Sequence, residues 1–245
     1  MFLTADALVI RYGIDEAIAK FYVDREPPKD NLYWKGKELY LRPQPGYIFL
    51  PLITDLFLKA GVSKAELLSN RFVETLEHIG HYSAEQEFNI INTNEAISKC
   101  EELVASFDIG FINDLRNYFS GEQNYISALA TPFKALHRGD LFLYSLVVLK
   151  LDANKRTELI RIWFSLISTL LLLDDAEDVE SDKRANDENA FLESGADKIG
   201  FEKIKSLLSA NLDHLATLNK PLADALHKKF IAVAEKPFIK EYLNA

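Results

Sequence analysis

Four aspartates, Asp174, Asp175, Asp178 and Asp182, have the spacing in this chain that is best suited to chemistry. An α-helix turns about 100° per residue, so a helix through them would place all four carboxylates within roughly 100° of arc. Ionised carboxylates crowded on an inward face repel one another and lose hydration, which is unfavourable unless cations or water compensate. Mg²⁺ is a common compensating cation, held by one or two carboxylates together with waters and substrate phosphates. The spacing therefore predicts a Mg²⁺ site that takes a phosphate-bearing ligand.

A strongly apolar segment precedes these aspartates and would position them. Four large apolar side chains recur there at helical spacing: Ile160, Phe164, Ile167 and Leu171. The aspartates continue the same stripe, whereas Ser165, Ser168 and Thr169 fall on the opposite side. We therefore predict one helix from Asn154 to about Asp187, whose core-facing side changes from Leu and Ile to Asp. Such a helix would line a wet cavity, open at one end of a helical bundle.

The alternative is that the helix ends near Leu173 and that the acidic run from 174 to 189 is a solvated loop. Runs of charged residues are usually solvated. Spacing alone gives this alternative about equal weight.

Composition favours an α-helical protein and excludes several classes of function. The chain has 245 residues, 48% of them hydrophobic, with only 10 Gly and 8 Pro. A net charge of −9 argues against a nucleic-acid partner, since phosphate backbones need a basic surface. Cys100 is the single cysteine, so no intramolecular disulfide forms. Neither a signal peptide nor a membrane-spanning apolar run is recognisable, so we expect a cytoplasmic location.

Helical patterns cover most of the chain, and we predict a single all-α domain over residues 1–245 with about eight helices. The first helix is predicted at residues 5–22, and a long helix, with a break considered near Thr131-Pro132, is expected from Asn124 to Leu149. Residues 23–47 hold four of the eight prolines and predict an extended arm or loop. That segment would be either an arm packed on the bundle or a functional lid or partner contact.

A second polar group lies on the helix predicted before Gly80. Glu74, His78 and His81 share one face of that helix, with Glu77 beside them. Histidine and carboxylate at this spacing can bind a transition metal, although a solvated or cavity-lining polar face is the simpler interpretation.

Asp174-Asp175-Ala-Glu-Asp178 matches DDxxD in full and resembles the aspartate-rich motif of class I isoprenoid synthases. The resemblance covers about 30 residues and includes Lys183, Arg184 and Asn186 as diphosphate-binding residues. It implies an all-α bundle around a central cavity, with Mg²⁺ held by the four aspartates of the opening paragraph. The metal would bind an allylic diphosphate and assist its departure as pyrophosphate. A homodimer is also compatible with this resemblance.

The chain departs from that family at the place where an opposite aspartate-rich motif should lie. The corresponding region, near residues 81–91, offers only His81, Glu85 and Glu87 as ligands. Two functions stay open. The first is a Mg²⁺-dependent enzyme that ionises prenyl diphosphates. The second is a non-catalytic relative, with an incomplete metal site, that binds a lipid or prenyl ligand or a protein partner.

Overall fold

The computed structural model describes residues 4–26, 28–32, 49–236 and 239–240. Every regular element in these ranges is helical, so the all-α prediction is confirmed. The predicted arm at 23–47 lies mostly outside the described residues, which include only 23–26 and 28–32 of it. Within the described ranges, no helix is both long enough and apolar enough to cross a membrane.

The helices of the described residues vary from 4 to 33 residues, and the longest of them is in the second half of the chain. The α-helices are α1 (Ala5–Tyr12), α2 (Glu16–Asp24), α3 (Phe49–Lys59), α4 (Lys64–Leu67), α5 (Asn70–Glu87), α6 (Thr93–Val104), α7 (Ile109–Phe119), α8 (Ala153–Ala185), α9 (Ala190–Glu193), α10 (Lys198–Leu218) and α11 (Lys220–Ala234). Two 3-10 helices, Lys134–His137 and Asp140–Val148, lie between α7 and α8.

Two predicted helices are divided, each at a glycine with positive φ. Gly13 (φ +64°) ends α1, so the helix expected at 5–22 is a pair of helices. The long helix expected from Asn124 to Leu149 is wrong: residues 124–133 form turns and coil, so the chain is interrupted near Thr131-Pro132 as considered. Two 3-10 helices follow, and Gly139 (φ +104°) separates them. All nine side chains of Asp140–Val148 are buried. A segment enclosed on every side lacks the amphipathic pattern from which helix type can be inferred.

Helix α8 runs for 33 residues, from a side-chain cap at Asp152 to Asn186 in the left-handed conformation. The prediction that it continues through the aspartates is confirmed, and the alternative of an end near Leu173 is wrong. It packs against α3, α9, α10, α11 and both 3-10 helices, and the buried side chains of the described residues form one contiguous core around it.

The middle of α8 is buried on its polar side as well as its apolar side. Ser165, Ser168 and Thr169, expected on a solvent face, are 0 to 5% exposed. The hydroxyls of Ser168 and Thr169 donate to the carbonyls of Phe164 and Ser165, one turn earlier. This internal bonding satisfies both hydroxyls. The hydroxyl of Ser165 instead makes its hydrogen bond with His214 Nδ1 of α10 (2.9 Å).

Asp55 of α3 joins three separate parts of the chain in the core. Its side chain is completely buried and accepts hydrogen bonds from the backbone N–H of Asp15 (2.8 Å), from Lys59 Nζ (2.6 Å) and from Asn219 Nδ2 (3.0 Å). Asn219 in turn donates to the carbonyl of Tyr12 (2.9 Å). The α1–α2 turn, α3 and the α10–α11 turn therefore converge on one carboxylate.

Replacing Asp55 by Ala should lower the free energy of unfolding by about 3–5 kcal/mol, because the Lys59 ammonium and two buried donors lose their acceptor. The control is Asp224→Ala, which removes an exposed pair of the same i,i+4 type with Lys220 and should change stability by less than about 1 kcal/mol. Urea unfolding of both variants measures this, and equal losses would refute the role given to Asp55.

Asp140 makes a second buried connection, between α7, the 3-10 helix and α8. It accepts hydrogen bonds from Tyr118 Oη (2.6 Å) and Trp163 Nε1 (3.2 Å). Burial raises the pKa of this carboxyl from 3.8 to about 6, and the two hydrogen bonds only partly oppose the rise. The folded protein therefore binds a proton at Asp140 more tightly than the unfolded chain does. Protonation of Asp140 stabilises the fold fully below about pH 4, and this stabilisation is lost as the pH rises through about 6.

Asp140→Asn should remove this pH dependence. The stability of the native protein relative to Asp140→Asn should increase by about 2–3 kcal/mol as the pH falls from 7 to 4. Denaturant unfolding across that range measures the difference, and parallel stability curves for the two proteins would contradict it.

Candidate functional site

The four aspartates of α8 do not share one environment. Asp175 is 1% exposed, Asp182 is partly exposed, and Asp174 and Asp178 are exposed. The core-facing side of this part of α8 is formed instead by apolar residues: Leu172, Leu173, Ala176 and Val179. The prediction that the core-facing stripe changes to Asp therefore holds for Asp175 and is wrong for Asp174 and Asp178. Those two carboxylates lie on the open side of the helix.

Asp175 is held by the chain itself. One carboxylate oxygen is paired with Arg138 Nη2, and the other accepts the backbone N–H of Ala190 (2.7 Å) at the start of α9. Arg138 Nη1 also donates to the carbonyl of Glu188 (3.3 Å). Burial nevertheless raises the pKa of Asp175 to about 6, with the Arg138 charge opposing the rise. This carboxylate connects the α8–α9 loop to α8 and is already occupied.

Asp182 takes part in the same loop closure through Asn189. The buried Asn189 amide donates from Nδ2 to the carbonyl of Asp175 (2.7 Å) and to Asp182 Oδ2 (2.8 Å), and its Oδ1 caps α9 by accepting from Phe191 N (2.9 Å). Two of the four aspartates, Asp175 and Asp182, thus hold the loop between α8 and α9 against α8.

Asp174 and Asp178 remain available for a ligand. Within the described ranges, neither carboxylate has a hydrogen-bond or ion-pair partner. The pKa of Asp174 is raised, first because its surroundings partly desolvate it and then because Asp178 repels its charge; Arg138 and Lys229 act in the opposite direction. The two acids are one helical turn apart on the same face, so a cation between them would relieve this repulsion.

Basic side chains from other elements border this acidic pair. Lys229 of α11 lies with its Nζ 3.8 Å from Glu177 Oε1, and burial lowers its pKa. Arg138 approaches from the loop between the two 3-10 helices. Neither residue is predicted from the sequence, because both are remote from the motif along the chain and belong to no recognisable pattern of their own.

Lys183, Arg184 and Asn186, which follow the motif in sequence, do not border the acidic pair in the way that Lys229 and Arg138 do. Lys183 and Arg184 are exposed, and Arg184 Nε donates to the carbonyl of Glu180 (3.1 Å). Asn186 is the left-handed C-cap of α8, with its N–H bonded to the Asp182 carbonyl. Asn186 therefore has a structural role that explains its type, since Asn tolerates this conformation.

The residues considered as ligands from the opposite side make their contacts elsewhere. His81 Nδ1 accepts the N–H of Leu32 (3.0 Å), Glu85 pairs with Lys99 (2.8 Å), and Glu87 is exposed at the end of α5. Helix α5 packs on α6 and on the second 3-10 helix. None of these contacts brings the three side chains to the acids of α8.

The polar group at Glu74, Glu77 and His78 borders a surface pocket of about 580 Å³. Glu77 is buried and makes a two-pronged ion pair with Arg25, including Nη2 to Oε2 at 2.9 Å. The pairing removes Glu77 from any ligand set. The pocket lies between α2 and α5, away from the motif.

The two available carboxylates of α8 would suit Mg²⁺ only if an anion supplied further ligands to the metal. Among the residues that the structure describes, no three His, Cys, Asp or Glu side chains converge as a metal site. Asp174 and Asp178 provide two carboxylates, which is the number that proteins commonly give to a Mg²⁺ whose other ligands are waters and phosphate oxygens. The residues thus match a cation shared with a phosphate-bearing ligand, and they do not match one enclosed by protein alone.

Comparisons of the chain with protein-family models, with curated proteins and with solved structures give no significant match. The resemblance to isoprenoid synthases therefore depends on the motif alone, and the all-α class is compatible with it without being specific to that family.

Asp175 has partners within the fold and Asp178 has none among the described residues, so substitution of each should affect stability differently. Asp175→Ala should lower the free energy of unfolding by at least about 2 kcal/mol, because Arg138 and the Ala190 N–H lose their acceptor. Asp178→Ala should change it by less than about 1 kcal/mol, because no partner is lost. Chemical unfolding compares them, and similar losses for both would disprove this division.

Proposed function

We propose that this protein is an isoprenoid-synthase-like helical protein that binds a prenyl diphosphate together with Mg²⁺ at Asp174 and Asp178. The observation that carries the proposal is the exposed acidic pair, without partners among the described residues and bordered by Arg138 and Lys229. A ligand that brings Mg²⁺ and phosphate together complements both signs of charge at this place.

The acids and the bases would act on different parts of such a ligand. Asp174 and Asp178 would hold the cation, and Arg138 and Lys229 would face the negative charge of the phosphates. Bound Mg²⁺ would neutralise charge on the diphosphate, the condition for its departure as a leaving group. Asp175 and Asp182 would not hold the cation, because both already accept hydrogen bonds from the loop between α8 and α9.

Ligand binding without ionisation is the role that the contacts favour. Asp174 and Asp178 would supply metal ligands from one side of a cavity only. Glu85, a candidate ligand from the opposite side, is paired with Lys99. The complete DDxxD motif favours the second candidate, an enzyme of the prenyltransferase or terpene-synthase kind that retains ionisation. Release of pyrophosphate from an allylic diphosphate separates the two roles.

The melting temperature of the native protein should rise when Mg²⁺ and pyrophosphate are added together, and more than with either alone. Ligand at 100 times its dissociation constant would stabilise the fold by about 2.7 kcal/mol, or roughly 5–10 °C for a chain of this size. The same increase is expected with Mg²⁺ and farnesyl diphosphate. Pyrophosphate production in that mixture would identify an enzyme, and its absence a binding protein.

The double variant Asp174→Asn with Asp178→Asn should lose this increase. A matched control, Glu180→Gln with Asp187→Asn, removes two exposed charges from the same end of α8 and should keep it. Absence of any shift in the native protein with either diphosphate would refute the proposal, and so would equal shifts in the two double variants.

A further inference from the structure

Helix α11 carries a lysine that faces the acidic side of α8. The side chain of Lys229 is 28% exposed, and its ammonium lies 3.8 Å from Glu177 and close enough to Asp174 to act on its charge. Helices α8 and α11 pack directly on each other. This lysine therefore belongs to a helix that packs on α8 and not to a surface loop.

The contact with Glu177 leaves the hydrogen-bonding capacity of Lys229 unused. A separation of 3.8 Å is too long for a hydrogen bond, and an ammonium has three donors to offer. No hydrogen bond from this ammonium occurs within the described ranges. A phosphate group placed over the acidic pair could accept from it.

Further positive charge surrounds Lys229. Arg11 of α1 and Lys236, which follows α11, both repel its ammonium, while Arg138 reaches Asp174 from another element. Positive charge from three parts of the chain thus collects beside two negative carboxylates. Such a juxtaposition suits a ligand with a cation at one place and an anion next to it.

The basic residues adjacent to the motif lack these properties. Lys183 is exposed near the end of α8, and the Arg184 guanidinium bonds to its own helix. Neither residue has an electrostatic effect on Asp174 among the causes that shift its pKa. The basic residues nearest to the acids in sequence, Lys183 and Arg184, are therefore not the ones that act on Asp174 in the fold, which are Arg138 and Lys229.

We infer that Lys229, assisted by Arg138, binds the phosphate groups of the metal-bound ligand, in place of Lys183, Arg184 and Asn186. The inference rests on the proposed function and adds to it the direction of the ligand, with its phosphates towards α11. It also implies selectivity: Lys229 repels bare Mg²⁺ from the acidic pair and attracts a complex of Mg²⁺ with phosphate.

The test compares Lys229→Met with Lys228→Met and Lys183→Met in the full chain. Isothermal titration with Mg²⁺ alone, and with pyrophosphate in the presence of Mg²⁺, provides the two affinities. Lys229→Met should weaken pyrophosphate binding about tenfold or more, as expected for a lost charge-assisted hydrogen bond, and should strengthen binding of Mg²⁺ alone. Lys228, the exposed neighbour on α11, and Lys183 should each give changes below about threefold.

A conservative variant keeps the test independent of folding. Lys229→Arg preserves the charge and should recover most of the pyrophosphate affinity, and thermal melting without ligand verifies that each variant is folded. Equal losses in Lys228→Met and Lys229→Met, or a larger loss in Lys183→Met, would overturn the inference while leaving the proposed function intact. Absence of pyrophosphate binding by the native protein would instead overturn both.

Discussion

Close packing around α8 is the constraint on which the rest of the structure depends. Between Leu159 and Leu173 the helix is covered on nearly every side, by α3, by α10 and α11, and by the 3-10 helices. Charged groups can be accommodated there only with partners, since unpaired charge in a packed interior costs several kcal/mol. Hydroxyls are accommodated because they bond to carbonyls of their own helix. Between Leu159 and Leu173 the one ionisable side chain is accordingly Arg161, which is exposed, and the run of acids begins only at Asp174.

The same constraint assigns different roles to acids that are adjacent in sequence. Asp175 points to the side that is still covered, and it is satisfied by Arg138 and by the first N–H of α9. Asp174 points to the open side, where no covering element supplies a donor among the described residues. A rotation of about 100° between neighbours is enough to separate a structural carboxylate from an available one. The match to DDxxD therefore includes a carboxylate, that of Asp175, which already has partners within the fold.

Buried carboxylates organise the bundle in two further places. Asp55 gathers the α1–α2 turn and the α10–α11 turn onto α3, and Asp140 joins α7 to α8 through Tyr118 and Trp163. Neither stood out in the sequence, because each lies in a strongly apolar segment with no neighbouring acids. Both accept hydrogen bonds from groups distant along the chain, which is how helices with short connections are fixed relative to one another.

The sequence by itself determined the helical class of the fold and the apolar first half of α8, and it predicted the continuation past the aspartates as one of two open alternatives. These properties follow from local periodicity and capping, which short segments encode. Only the tertiary structure decided which way the acids face and which cations reach them. The approach of Arg138 and Lys229 to Asp174 depends on contacts between distant parts of the chain. The amphipathic stripe could not settle this, because a helix buried on nearly all sides has no single inward face from which the next turn can be extrapolated.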